Sequence, residues 1–504
     1  MGGEEASPTV QEREAATALA ERLDLTRPGM EAMRAAVEAK DHKAVLDLFR
    51  ARLVKRLRSM DFSGAPPSRS FNRTLTADAQ MLVGRWTLED YKKAYKRDWI
   101  DTFSGIKEDD YPILTASGLM APPGTPIQWL GPDGNSQRVG WYIGGWGGGG
   151  WGFNTALVDA WWSSGEAIYK DKWLEICQGY FHEYFTSATR QTLSPDGKPL
   201  DSFFHLHTAW RIKNSFLPSL ALLAKHLDHE KEPPPHPEWL RHWPSEAVQK
   251  ARAEANKAMT SEASAESLAS LPAAPLAWIA IGLTEETAPF LIESYVTGDY
   301  FFANQNYDGI LSVATIALVF DDLKKSRELE RVVDQAIPWW AGRVMHRDGG
   351  ALEQDISYSV KYVEEFAYQA TLFASQGCTA AWIEEFRRLS AAAANFWDLL
   401  QTPQGLLPCM GNSKYGTEAP RKAKPQTSTY FPYSGYAGLR TPGAPEDQLF
   451  MSFANSRRSV GHLSPNTGSV HVTAYGRDLI APGGSPSYGL TAPAQKAEEK
   501  AFDG

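Results

Sequence analysis

Cysteine is scarce in this 504-residue chain: Cys177, Cys378 and Cys409 lie far apart and form no CxxC pair. No disulfide framework or zinc knuckle can be built from them. Long apolar runs are missing too. No stretch reaches the ~18 consecutive apolar residues of a membrane-spanning helix. The opening, "MGGEEASPTVQEREAATALAERL", is acidic and helix-like where a secretory signal would be basic and then apolar. The third shortage is of clustered positive charge. With 51 Lys and Arg against 60 Asp and Glu the net charge is -9, so a nucleic acid is not an expected partner and a heavily sulfated polymer is disfavoured.

Aromatic residues, by contrast, make up 12% of the chain and include 17 Trp. An indole has a flat apolar face and a polar edge, so it stacks on a sugar ring as well as it fills a core. The remaining composition, 43% hydrophobic and 22% charged, is that of a globular protein, and the length allows two domains.

From about residue 10 to 400 the hydrophobic spacing is helical. "VQEREAATALAERL", "DHKAVLDLFRARLVKRL", "NTALVDAWWSSGEAIY", "DKWLEICQGYFHEYF", "WRIKNSFLPSLALLAKHL", "GILSVATIALVFDDL", "SRELERVVDQAIPWWAGRV", "VEEFAYQATLFASQG" and "AAWIEEFRRLSAAAANFWDLL" all show it. Short turns join most of them, which predicts stacked helix pairs. "DHEKEPPPHPEWLRHWPSE" and "TSEASAESLASLPAAP" are longer connections. After about residue 425 the pattern becomes strand-like in "YSGYAGLRT", "QLFMSFANS" and "GSVHVTAYGRDLIAPGG". The expected organisation is a helical domain over 1–425 and a β domain over 426–504, so short that it either packs on the helices or is truncated.

"RVGWYIGGWGGGGWGFNTALVDAWW" holds a formal GxGxxG at Gly145, Gly147 and Gly150. The βαβ unit of a dinucleotide site does not follow it, which argues against a nucleotide cofactor. Trp141, Trp146 and Trp151, spaced five apart among these glycines, suit a platform for sugar rings or a loop with its indoles packed inward. In "RDGGALEQDISYSVKYVEEF" a glycine-rich turn leads into a helix that Asp355 or Ser357 can cap. Tyr358 falls one turn in, either as a packing residue or as a reactive group.

Five segments in order carry a family resemblance. "HTAWRIKNSFL", "FFANQNYDGILSVATIALVF", "RDGGALEQDISYSVKY", "GLLPCMGNS" and the pair "YSGYAGLRT" and "GHLSPNTGSVHVTAYGRDLIAPGGSPSYG" resemble the successive motifs of the heparinase II/III-like polysaccharide lyases, over residues 200–490 or so. The resemblance implies an incomplete (α/α) toroid of paired helices followed by an antiparallel β-sandwich. It also implies β-elimination on a polyuronate, an anionic polysaccharide, with no cofactor and a secreted or periplasmic location. Carried over by position, Asn304 grips the uronate carboxylate, Tyr358 is acid and in some members also base, and His462 is a base or substrate ligand. Glu353 holds the loop or the substrate. Arg211, Lys361 and Arg440 are cations that can bind substrate or lower the Tyr358 phenol from its ordinary pKa near 10.

The departures are informative. Gln305 stands where the family has histidine, Ser359 follows the tyrosine, and Ser464, Asn466 and Ala481 replace family histidine and aspartate residues. In members with a structural zinc such side chains hold it, so no metal is expected here. The leading reading is a lyase acting on alginate (mannuronate) or glucuronan. A hydrolase using Glu353 with Asp355, or a non-catalytic polysaccharide-binding protein on the same scaffold, are the alternatives.

Overall fold

The computed structural model describes residues 7–62, 75–95, 111–129, 139, 156–158, 160–161, 164–184, 208–227, 265–297, 303–352, 356–410, 418–419, 422–455 and 468–481. The chain divides into two compact units, one of residues 1–300 and 308–333 and the other of 301–307 and 334–504. The expected break near residue 425 marks where strands begin; the second compact unit also takes in the helices before it.

The first unit is helical. α1 (Val10–Arg22) starts at a capping box. The Glu12 amide donates to the Thr9 hydroxyl at 3.2 Å, and the Thr9 amide to the Glu12 carboxylate at 2.7 Å, so two otherwise orphaned donors are satisfied. α2 (Glu31–Glu38) precedes α3 (His42–Ser59), which Asp41 caps through the Ala44 amide. The buried residues of α3, Val45, Leu46, Phe49, Leu53, Val54 and Leu57, recur at helical spacing along one face. α4 (Ala167–Gln178), α5 (Leu217–Lys225) and α6 (Ala273–Ile281) follow, with α6 packed against α1, α3 and α4. α4 runs on into a wide π turn at Gly179–Tyr184, and α6 into another at Gly282–Thr287. The two turns pack against each other at Gly282. A Cβ there would sit 2.0 Å from the Phe181 carbonyl oxygen, so only glycine permits the approach.

α7 (Ala303–Val319) contributes its first residues to the second unit and the rest to the first. Beyond its end, the Asp322 carboxylate is buried and clamped by α3: Arg52 donates to it at 2.7 and 3.0 Å and Arg56 at 2.9 Å. Burial favours the neutral acid, but these bonds and charges hold the Asp322 carboxyl below its ordinary value.

In the second unit, α8 (Lys324–Val344, from Asp334 onward) leads through a tight hairpin to α9 (Ile356–Ser375) and α10 (Ala381–Leu400). α9 and α10 pack along their lengths through aromatic rings. Phe366 meets Phe386 at 4.9 Å between centroids, and Phe373 meets Trp382 at 4.9 Å. A five-stranded antiparallel meander follows: β1 (Thr429–Phe431), β2 (Tyr436–Arg440), β3 (Phe450–Ala454), β4 (Ser469–Ala474) and β5 (Arg477–Ile480). The register sets Phe431 opposite Tyr436 and Tyr436 opposite Ala454. These three side chains form one core with Phe396, Trp397 and Leu400 of α10, so the short sheet is stabilised by packing on a helix. Helices followed by an antiparallel sheet is the order expected from the sequence.

Candidate functional site

Asn304 and Tyr358 lie in the same compact unit, each in the first turn of its helix. Their side chains, with that of Lys361, are outside the described residues. The next turn of each helix is described. Tyr307 and Tyr362 meet edge to face with centroids 6.0 Å apart, and Tyr307 also meets Phe366 at 5.3 Å. One helical turn is 3.6 residues, about 5.4 Å of rise. Asn304 and Tyr358 therefore each stand one turn N-terminal to a ring pair in contact. Gln305 and Asn306, beside Asn304, are buried.

The hairpin before α9 is the "RDGG" turn. His346 donates its amide to the Gly350 carbonyl at 2.8 Å, and Leu352 donates to Val344 at 3.0 Å. The turn is fixed from outside by Asp348. One carboxylate oxygen accepts the Tyr433 amide at 2.8 Å and the Ser434 amide at 2.9 Å, tying the hairpin to the turn between β1 and β2. Gly349, at φ 92°, and Gly350 allow the close approach. Added Cβ atoms would lie 2.1 Å from the Ala392 carbonyl oxygen and 2.4 Å from Ser434 Cβ. The sequence does not mark Asp348 individually; its signal is the Asp-Gly-Gly string itself. Burial lowers the nearby His346 imidazole, and the Asp348 charge opposes that shift.

Arg440 was expected as a cation for substrate or for Tyr358. It is buried on β2, and its guanidinium donates to the carbonyls of Leu399 at 2.7 Å, Gln401 at 3.1 Å and Pro425 at 3.3 Å. Those contacts join the end of α10 to the sheet. A second tie uses His471 of β4, whose Nδ1 accepts the Cys409 amide at 3.3 Å while Nε2 lies 2.9 Å from the Asp478 carboxylate. With Nδ1 accepting, the ring proton is on Nε2 and points at Asp478. "GLLPCMGNS" is thereby joined to the strands that follow it.

In the helical unit, Arg211 is buried near Tyr180. Burial pushes its guanidinium down to about 10, against the raising effect of the Tyr180 phenol, which burial itself pushes up to about 12. Two residues on, the ammonium of Lys213 lies 3.1 Å from the Asp308 carboxylate, both fully buried, and the Trp210 indole N–H also donates to Asp308. Trp141, Trp146, Trp151, Glu353, Asp355 and His462, and the glycines of the GxGxxG string, lie outside the described residues.

No protein-family model and no curated protein matches the sequence. Solved structures do match it. A mutant of the heparan sulfate lyase HepC from Pedobacter heparinus superposes with a TM-score of 0.55 and 14% identity, covering 97% of this chain and 68% of that one. A structure of heparinase III gives 0.52 and 16%, over 96% and 69%. The methylated-lysine form of the heparinase III-BT4657 gene product gives 0.53 and 14%, over 98% and 70%. The fold is that of heparinase III. Asn304, Tyr358 and the Asp348 hairpin are thus carried by a heparinase III fold.

Proposed function

We propose that this protein is a polysaccharide lyase that cleaves a uronate-containing polymer by β-elimination, with Asn304 neutralising the uronate carboxylate and Tyr358 moving the proton. The observation that supports the reading is the Tyr307–Tyr362 contact, which brings together the second turns of α7 and α9, one turn beyond Asn304 and Tyr358, on a heparinase III fold. The proton at C5 of a uronate is feebly acidic while the neighbouring carboxylate is charged. An amide at position 304 donates hydrogen bonds to the developing enolate without bringing a competing proton. The Tyr358 phenolate takes the C5 proton, the C4–O bond breaks, and the phenol returns a proton to the departing oxygen. The new non-reducing end carries a C4–C5 double bond conjugated with the carboxylate.

Gln305 supports a stereochemical preference. In mannuronate and glucuronate the C5 proton and C4 oxygen share one face of the ring, so one tyrosine serves both steps. In guluronate and iduronate the proton lies on the opposite face, and a glutamine amide there is too weakly basic to take it. Mannuronate and glucuronate linkages are therefore the proposed substrates. The neighbours described as heparan sulfate lyases add heparan sulfate as a polymer to test, against which the net charge of -9 weighs. The experiment is side-by-side incubation with polymannuronate, polyguluronate, glucuronan and heparan sulfate, followed by ultraviolet absorbance of the unsaturated ends. New reducing ends without absorbance would make the protein a hydrolase, and binding without either product would make it a binding protein. Faster cleavage of polyguluronate than of polymannuronate would overturn the stereochemical assignment.

A further inference from the structure

We infer that Asp348 is a positioning residue for Tyr358, an inference that rests on the lyase reading above. Three residues, 353–355, separate the described end of the hairpin at Leu352 from the start of α9 at Ile356, and Tyr358 is the third residue of that helix. Three residues reach no further than about 10–14 Å, so the hairpin's placement limits where α9 can begin.

Three contacts set that placement, and all converge on the turn. Asp348 binds the amides of Tyr433 and Ser434, Gly349 lies against the backbone of α10, and Gly350 lies against Ser434. The glycines only permit the approach; Asp348 is the group that holds it. Both amides use the same oxygen, Oδ2, while Oδ1 is enclosed and has no hydrogen-bond partner among the described residues. What the tie requires is one well-placed acceptor oxygen rather than a carboxylate as such. Asparagine supplies that oxygen and alanine does not. A catalytic tyrosine displaced by an ångström or so loses about a hundredfold in rate while other contacts to the substrate are kept.

The experiment compares Asp348→Ala and Asp348→Asn with the wild type on the best-cleaved polymer of the panel, resolving kcat from KM and recording the melting temperature. Asp348→Ala is expected to lower kcat by about ten- to a hundredfold with KM little changed, and Asp348→Asn to restore kcat to within about threefold of wild type. Should the alanine variant fail to fold, Asp348→Ser carries the same expectation, since its hydroxyl is too short to reach the turn. A kcat near wild type in the alanine or serine variant, or an asparagine variant as impaired as they are, would overturn the inference. Absence of lyase activity in the wild type would overturn the functional reading together with it. An active wild type with an unimpaired Asp348→Ala would overturn this inference alone.

Discussion

Replacing Gly282 by alanine would be expected from helix propensity alone to stabilise the chain by about 1 kcal/mol. The packing of the two π turns reverses the sign. The added Cβ would lie 2.0 Å from the Phe181 carbonyl oxygen and 2.4 Å from its carbonyl carbon, where heavy atoms settle at about 3.5 Å. Relief needs roughly 1.5 Å of movement, and the neighbour is backbone, which cannot swing aside as a side chain can. Overpacking costs about 1–3 kcal/mol where a core yields, so this site belongs at the upper end, and the net loss should be about 2 kcal/mol. Gly342 in α8 is the control. Among the described residues nothing lies within 4 Å of a Cβ added there, so Gly342→Ala should gain about 0.5–1 kcal/mol. Urea unfolding followed by circular dichroism reads both substitutions. A Gly282→Ala midpoint at or above wild type would refute the packing argument.

The remaining predictions concern chemistry and acid stability. Tyr358→Phe should abolish turnover while the protein stays folded and binds substrate, measured by absorbance and equilibrium binding; more than a small residual rate would exclude the tyrosine as acid. Asn304→Ala should lower kcat far more than it weakens binding, because carboxylate neutralisation gains value as charge develops; a change in binding alone would make it a ground-state contact. His462→Ala should impair turnover as well, by the same assay. With Ser464, Asn466 and Ala481 in place, elemental analysis should find no stoichiometric zinc and chelators should leave the melting temperature unchanged; one zinc per chain would refute this. The Asp322 carboxyl is depressed in the folded state, so its stabilisation is complete above the unfolded value and is lost as pH falls through the folded one. Stability should drop steeply below about pH 4. Asp322→Asn should flatten that drop and cost about 3–5 kcal/mol at neutral pH, and an acid-unfolding profile unchanged by the substitution would count against the clamp.

Helices with one apolar face were legible in the sequence, as α1, α3, α8, α9 and α10 show, and so were β2, β3 and β4. α6 was not, because "APLAWIAIGL" is apolar on every side and follows a Ser/Ala-rich stretch that reads as a linker. Of the candidate site, the strings holding Asn304 and Tyr358 could be located, and both residues fall in helix starts. The roles of Asp348 and Arg440 could not be read, since each depends on partners that folding alone brings near. Asp348 meets amides 85 and 86 residues away, and Arg440 meets carbonyls 41 and 39 residues away. The sequence marks Arg440 as a cation, but only the fold shows its charge committed to backbone carbonyls.

The hairpin over residues 345–351 also bears on where the chain can change length. Met345 and Ala351 pair across it, and its tip is held by the Asp348 tie. A segment fixed at both ends and at its tip has no slack, so one added residue must either break the tie or push the start of α9 out of place. The next turn along the chain, between α9 and α10, is built differently. Gly377 sits at φ 74° with nothing among the described residues within 4 Å of where a Cβ would be, and local amide bonds back to Phe373 and Ala374 close the end of α9. Exposed turns of that kind accept insertions. An affinity tag or a fluorophore-bearing loop belongs at Gly377, some twenty residues past Tyr358 on the far end of the same helix, where it can report on α9 without disturbing the turn that aims it.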